Sequence, residues 1–315
     1  MLLRTLVVIL NKDNAEGLRR CLKSLIDQSL KICEDFDVLV IDGGSKDGSK
    51  EVVEEFSKTY PCVKFKVQKK LGGTGFARIE SCDYAKNYKF VIWGDSENEY
   101  SKDYVEKIVK ALEKYDVAGG IPIVESSFYG HAFAWYHALH LIVPKLKNYH
   151  VPGNNRGERT EIYKLATYPE TRRAEDYGFS LKLMKAGIKL KVKVVDAKVK
   201  ISLPKTFKDI IAWQKNRAKG AAEAAYSVKF FPYDSLIWIS IFPVLIFSFL
   251  KLEIVIFLLA LNSMIFLLTK RFLEKLKMRF FLAPIFGILI HSFFSLLTLI
   301  EFTKLFLSKS GKKFR

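Results

Sequence analysis

From Thr5 to Tyr115 the chain alternates short apolar runs with amphipathic stretches, and this alternation most restricts how it can fold. "TLVVIL" (5–10) is continuously apolar, as expected for a parallel strand buried on both faces. "AEGLRRCLKSLIDQS" (15–29) follows, with Leu18, Leu22, Leu25 and Ile26 on one helical face. "FDVLVID" ends at Asp42, "CVKFKVQ" is a third strand, and "YKFVIWG" a fourth. The helical patterns "KEVVEEFSKTY", "GTGFARIESCDYAKN" and "KDYVEKIVKALEKY" lie between or after them, the first with Ser49 as expected N-cap. Such spacing predicts βαβ units, a parallel sheet and right-handed crossovers. Ligands of such sheets bind beyond the carboxyl ends of the strands, where Asp42 and Asp95 stand.

The rest of the chain has a different character. "YDSLIWISIFPVLIFSFL" (233–250), "LEIVIFLLALNSMIFLLT" (252–269) and "FFLAPIFGILIHSFFSLLTLIEFTKLFL" (280–307) are each long enough to cross most of a bilayer. The basic loop "KRFLEKLKMR" and the basic C-terminus should both be cytoplasmic, which three full spans cannot satisfy. The third segment, with Pro284, His291 and Glu301, is therefore expected to be re-entrant or interfacial. Residues 1–228 are expected as a cytoplasmic catalytic domain (1–120 and 121–228 as its halves) and 229–315 as the membrane region. A net charge of +18 favours anionic partners, and beside apolar segments lipid head groups are the economical choice. No aromatic-interleaved basic stripe points to nucleic acid. The N-terminal apolar run meets polar residues at once and reads as a strand, with no signal peptide. Four cysteines without CxxC spacing suggest neither zinc nor disulfides, and are expected to pack in a reducing compartment. Abundant Lys, Glu and Ile with only three Gln match thermophile usage. His131, His137 and His140 share one helical stretch without a suitably spaced fourth ligand, so packing is expected of them.

"VVILNKDNAEGLRRCLKSLIDQ", "VLVIDGGSKDGS", "LGGTGFARIESCDYAK", "GDSENEYSKDYVEKIV", "PGNNRGERTEIYKL" with "RRAEDYGFSLKLMKAG", and "WQKNRAKG" occur in this order. Together they resemble the motifs of inverting glycosyltransferases of family 2, over about residues 5 to 220. The resemblance implies a GT-A (Rossmann-like) fold, a mixed, mainly parallel sheet with flanking helices, here followed by C-terminal hydrophobic helices. It implies a nucleotide-sugar donor, UDP- or GDP-linked, and Mg2+ or Mn2+.

The resemblance assigns Asp13, Asp42, Arg78, Asp95, Gln214 and Arg217 to the donor, and Asp95 with Glu97 to the metal. Taken alone, Asp42 before Gly-Gly reads better as turn formation, and Asp47 before Gly48 reads as turn chemistry. Two carboxylates two residues apart past a strand suit a hard divalent cation beside a departing diphosphate. The family has Asp where Glu97 stands; Glu99 has no counterpart and is expected to be solvated. Asp176 is assigned the general base and Glu175 its support, although acids in a first helical turn also complement the helix dipole. Asn154, Asn155, Arg156 and Trp213 are assigned to the acceptor. Arg217 suits a diphosphate, and a basic helix at the membrane surface accounts for it as well. Gly43 and Ala218 depart from the family pattern. The expected protein is an integral enzyme of the cell membrane, transferring sugar to a lipid-linked saccharide or glycolipid. A polyprenyl-phosphate sugar synthase, a processive polysaccharide synthase and an inactive nucleotide-binding module are the alternatives.

Overall fold

The structure is a computed structural model and describes residues 3–142, 151–241, 243 and 251–308. The chain divides into two compact units, one of residues 1–122 and 147–202, the other of residues 123–146 and 203–315. The boundary expected at 228 falls inside the second unit. The helices at 128–142 and 207–227 pack on the C-terminal apolar helix, and that packing groups them with it.

The first unit is built on an eight-stranded sheet of order β3-β2-β1-β4-β7-β6-β8-β5. Strands β1 (Leu3–Asn11), β2 (Asp37–Asp42), β3 (Val63–Val67) and β4 (Tyr88–Asp95) are parallel to their neighbours. Strand β7 (Arg156–Arg159) runs antiparallel to both β4 and β6 (Val117–Ile123). The short β5 (Glu99–Tyr100) pairs antiparallel with β8 (Val192–Lys200). The sheet is thus mixed and mainly parallel, as expected. Val7, Val8 and Ile9 of β1 are fully buried, because helices cover both faces of a crossover sheet.

Helix α1 (Ala15–Ile26) presents Leu18, Cys21, Leu22 and Leu25 to the core, each worth roughly 1.5–3 kcal/mol when fully buried. Its N-cap is Asn14, whose side chain accepts the Gly17 N–H. Helix α2 (Ser49–Thr59) begins one residue from expectation. Gly48 takes the cap position in a left-handed conformation, and Asp47 accepts the Ser49 N–H and Oγ–H and the Ala15 N–H. Helices α3 (Thr74–Ala85) and α4 (Tyr104–Leu112) lie where the pattern put them, and α6 (Glu175–Lys185) carries the two acids.

The cysteines correct the sequence reading. Cys33 and Cys62 form a disulfide, with Cα atoms 5.3 Å apart. Pairing of Val38 with Val63 in the parallel sheet brings together the segments that precede both strands. No short-range spacing announces such a bond, and it removes the argument for a reducing compartment. Intracellular disulfides also persist in hyperthermophiles, so the bond alone assigns no compartment. Cys21 and Cys82 remain thiols.

The second unit contains α5 (Phe128–Ile142), α7 (Phe207–Ser227), α8 (Tyr233–Ile239), α9 (Leu252–Leu268) and α10 (Ala283–Leu307). Small residues let these helices approach closely. Ala218, Ala221, Ala222 and Ala225 of α7 and Gly287, Ser292, Ser295 and Thr298 of α10 are all buried. A Cβ on Gly287 would lie 2.0 Å from the Ala132 carbonyl oxygen. Ala218 is fully buried in this packing.

Leu252–Phe272 and Met278–Leu307 are long and apolar enough to cross a membrane. Ile256, Phe257, Leu267 and Phe306 project from them, more than half exposed. The third segment, expected to be re-entrant or interfacial, is one continuous helix over Ala283–Leu307. Pro284 stands in the first turn of α10, where its missing N–H is tolerated, and Glu301 pairs with Lys304 at 2.8 Å. Of the segment 233–250, α8 accounts for seven residues, and 244–250 lie outside the described residues. His131 packs as expected: its Nδ1–H donates to the Ser127 carbonyl and its Nε2 accepts the Lys277 N–H. His137 is also buried; the side chain of His140 lies outside the description.

Candidate active site

Register puts the loops together. Asn11 pairs with Asp42 across β1 and β2, and Leu10 with Asp95 across β1 and β4, so three strands end at one level. An open cleft of about 470 Å³ lies there, lined by Lys12, Asn14, Arg20, Asp95, Ser96, Glu97 and Ser202. Lys12 and Arg20 belong to this lining and went unread in the sequence. They sit in a loop and on an amphipathic helix, where a basic residue looks merely solvated.

Asp42 is buried beneath the cleft and engaged on both oxygens. Oδ1 accepts the Gly44 and Ser45 N–H groups, and Oδ2 accepts Asn11 Nδ2–H and Ser45 Oγ–H, all at 2.7–2.8 Å. It organises the turn, the reading that needed no ligand. Asp13 is exposed, with a left-handed backbone (φ 47°) that a non-glycine residue adopts only under local constraint. The Lys46 N–H, then Lys12, hold its carboxyl below the usual range. Glu99 is not simply solvated, because it accepts from Arg20 Nε at 3.2 Å.

Asp95 ends β4 half-buried, beside a residue that must be glycine. A Cβ on Gly94 would fall 1.8 Å from the Tyr100 hydroxyl. Among the described residues the Asp95 carboxylate receives no hydrogen bond. Burial raises its pKa to about 7, with Glu97, Glu175 and Asp176 adding to the rise against the pull of Arg78. Glu97, two residues on, is exposed at the cleft. A divalent cation fits such oxygens: it would relieve the crowding of negative charge. Diphosphate and water would complete a shell to which the protein gives two carboxylates. Among the described residues no group of three His, Cys, Asp or Glu is placed to hold a metal alone.

Arg78 of α3 connects the two acidic clusters. It is buried with its Nε donating to Glu175 Oε1 at 2.6 Å, and its guanidinium lies 4.7 Å over the Trp93 ring. Its Nη1 is buried and has no hydrogen-bond partner among the described residues. Glu175 spends its other oxygen on Thr74 Oγ1–H at 2.6 Å. Both oxygens of Glu175 are thus committed. Asp176 is half-buried; its Oδ2 accepts the Gly153 N–H at 2.7 Å and its Oδ1 the Tyr177 N–H at 2.8 Å. Ala174, just before this pair, is left-handed (φ 53°), a second strained residue at the site.

The residues expected at the acceptor are not all surface groups. Asn155 is buried, its Oδ1 accepting from Tyr104 Oη–H and the Gly120 N–H. Arg156 is buried in an ion pair with Glu158, which also accepts from Trp93 Nε1, Tyr163 and Tyr168. Both side chains are thus buried and committed to partners within the protein. Asn154 is half-buried, and its carbonyl accepts from Asn98 Nδ2. Trp213, Gln214 and Arg217 belong to the second unit and line a cavity there.

A mixed, mainly parallel sheet with flanking helices and acids at the strand ends is the GT-A fold of nucleotide-sugar-dependent transferases. The sequence model of "Glycosyl transferase family 2" matches residues 6–171, more than half of the chain, and the chain belongs to that family. Glycosyltransferase GlyA of Streptococcus pneumoniae is 31% identical over 118 residues, 36% of this chain and 16% of that protein. The cholesterol galactosyltransferase of Borreliella burgdorferi is 29% identical over 123 residues, 39% of this chain and 32% of that protein. The matches span less than a third of either relative. Among solved structures, the mannosyltransferase PcManGT from Pyrobaculum calidifontis, in complex with GDP-Man and Mn2+, shares the fold. Its TM-score is 0.55 at 17% identity, covering 72% of this chain and 65% of that one.

Proposed function

We propose that this glycosyltransferase is membrane-bound and inverting, and moves a sugar from a UDP- or GDP-linked donor to a lipid-linked saccharide or glycolipid. The carrying observation is the placement of Arg78, which donates to Glu175 at 2.6 Å and lies beside the Gly153 backbone that binds Asp176, while its electrostatic reach extends to Asp95. An acid able to take a proton and an acid able to hold a cation thus flank one buried cation.

In this reading Asp176 accepts the acceptor hydroxyl's proton, held in place by the Gly153 N–H. The freed oxygen attacks the anomeric carbon opposite the diphosphate. The bond to the diphosphate oxygen breaks, and configuration inverts in one step. Asp95 and Glu97 would hold Mg2+ or Mn2+, which would stabilise the negative charge on the departing diphosphate. Lys12 and Arg20 lie on the same cleft and add positive charge for the donor. Two apolar helices with exposed large side chains support attachment to the membrane. The cholesterol galactosyltransferase among the relatives supports a lipid acceptor.

The test is a donor screen on the purified full chain in detergent with lipid extract, reading nucleoside diphosphate release in wild type and Asp176→Asn. Transfer that requires Asp176 supports the reading. Undiminished transfer to polyprenyl phosphate by Asp176→Asn would identify a polyprenyl-phosphate sugar synthase instead. Metal-independent nucleotide binding without turnover of any donor would identify an inactive module.

A further inference from the structure

Strands β4 and β7 carry a row of polar chemistry on one face of the sheet. Trp93 pairs with Arg156, and Val91 with Glu158. Residues two apart along a strand share a face, and so do residues directly opposite. Trp93 and Asp95 therefore point the same way along β4, and Arg156 and Glu158 lie on that face of β7. Trp93, Arg156 and Glu158 are all buried.

Glu158 takes four donors. It accepts from Arg156 Nε, from Trp93 Nε1 at 2.9 Å, from Tyr163 Oη at 2.5 Å and from Tyr168 Oη at 3.0 Å. A buried ion pair is poorly explained by stability, because well-packed apolar side chains of similar volume do as well or better. What several donors on one carboxylate achieve is fixed geometry. The Trp93 indole and the Tyr168 phenol are each tied at their polar end.

Those two rings hold Arg78. Its guanidinium lies 4.7 Å from the Trp93 ring centre and 5.6 Å from that of Tyr168, and the rings meet edge-on with centroids 5.8 Å apart. Among the described residues Arg78 donates through Nε to Glu175 Oε1, and its Nη1 has no partner. That single contact with its anion leaves the tilt of the guanidinium to the rings. Its Nη2 lies against Gly153, whose N–H binds Asp176.

We propose that Glu158 is a positioning residue of the transferase: it fixes the Trp93 and Tyr168 rings, the rings fix Arg78, and Arg78 so held sets Glu175 and Asp176 relative to Asp95. This rests on the reading of Asp176 as the base and Asp95 as a metal ligand. Glu158 itself touches neither substrate nor metal.

The test uses the full chain in detergent with isotope-labelled tryptophan and arginine side-chain nitrogens, read by NMR. The chain has four tryptophans, so the Trp93 indole N–H is identified by its loss in Trp93→Phe, and the Arg78 Nε–H by its loss in Arg78→Lys. Glu158→Gln should move both signals. Tyr168→Phe keeps the ring, removes one donor from Glu158 and should move the Arg78 signal as well. With a donor that the wild type turns over, Glu158→Gln should lower kcat at least about tenfold and leave donor KM within about twofold, as for an interaction realised in the transition state. A merely structural Glu158 would lower Tm, leave the Arg78 signal in place in both variants and leave kcat per folded molecule unchanged. Either the unmoved signal or the unchanged kcat overturns the proposal. Should Glu158→Gln fail to fold, an unmoved Arg78 signal in Tyr168→Phe overturns it alone. If the wild type turns over no donor, the transferase reading fails, while joint movement of the two signals still supports the contact from Glu158 to Arg78.

Discussion

Gly153 and Asp176 meet across 23 residues of chain, with the glycine N–H donating to Asp176 Oδ2 at 2.7 Å. The contact needs a residue without a side chain, because a Cβ on Gly153 would sit 2.4 Å from Arg78 Nη2. One backbone position thus touches both the expected base and the buried cation beside it.

Gly153→Ala is therefore expected to lower turnover at least tenfold and to cost about 1–3 kcal/mol, as overpacking in a tight interior does. Steady-state kinetics and thermal unfolding check this. Wild-type turnover in the alanine variant would show that the contact does not position Asp176.

Asp176→Asn and Glu175→Gln should separate chemistry from support. The first keeps the shape of the side chain, and turnover should drop by about 10²–10⁴ with Tm little changed. The second leaves Arg78 buried without its counter-charge, a loss of about 3–5 kcal/mol. Its Tm should fall clearly. The opposite ranking in Tm would refute the division of roles.

Asp95→Asn should abolish metal-dependent turnover yet stabilise the metal-free protein at pH 8. The folded-state pKa of Asp95, about 7, lies above the ordinary 3.8. Ionisation is harder in the folded protein, so the carboxyl destabilises it fully above pH 7, by a margin that vanishes as pH falls towards 4. The Tm gain of Asp95→Asn should accordingly be largest at pH 8 and shrink at pH 5. A destabilised variant at pH 8 would contradict this. By the same protonation, Mn2+ affinity of the wild type should rise with pH through about 7.

Thiol titration of the unfolded, unreduced protein should count two free cysteines, Cys21 and Cys82. Breaking Cys33–Cys62 by a Cys62→Ala change should cost about 3–4 kcal/mol, since the bond closes a loop of 29 residues. Four titratable thiols would refute the bond.

The strands and helices of the first 115 residues were readable because each carries its own periodicity. Continuous apolar runs mark doubly covered strands, as Val7 to Ile9 prove, and one-sided stripes mark helices. The carboxylates of Asp95, Glu175 and Asp176 stand out in the sequence as candidates, since motif order names them. Their partners do not. Nothing in "LGGTGFAR" says that Arg78 will be buried against Glu175, nor in "PGNNRGER" that Asn155 and Arg156 turn inward while Gly153 faces Asp176. The helix at 280–307 was legible from its apolar composition, and its exact span, Ala283–Leu307 with Pro284 in the first turn, came from the structure.

What the sequence determined by itself was local: which segments are strands, which are helices, which are apolar enough for a membrane, and where acids follow strand ends. Such features depend on spacing along the chain, and spacing is written in the sequence. Only the tertiary structure decided which acids line the cleft and which become scaffolding, that Cys33 bonds to Cys62, and that Trp213, Gln214 and Arg217 share a cavity with α10. Each of these is a contact between residues distant in sequence, fixed by strand register and helix packing.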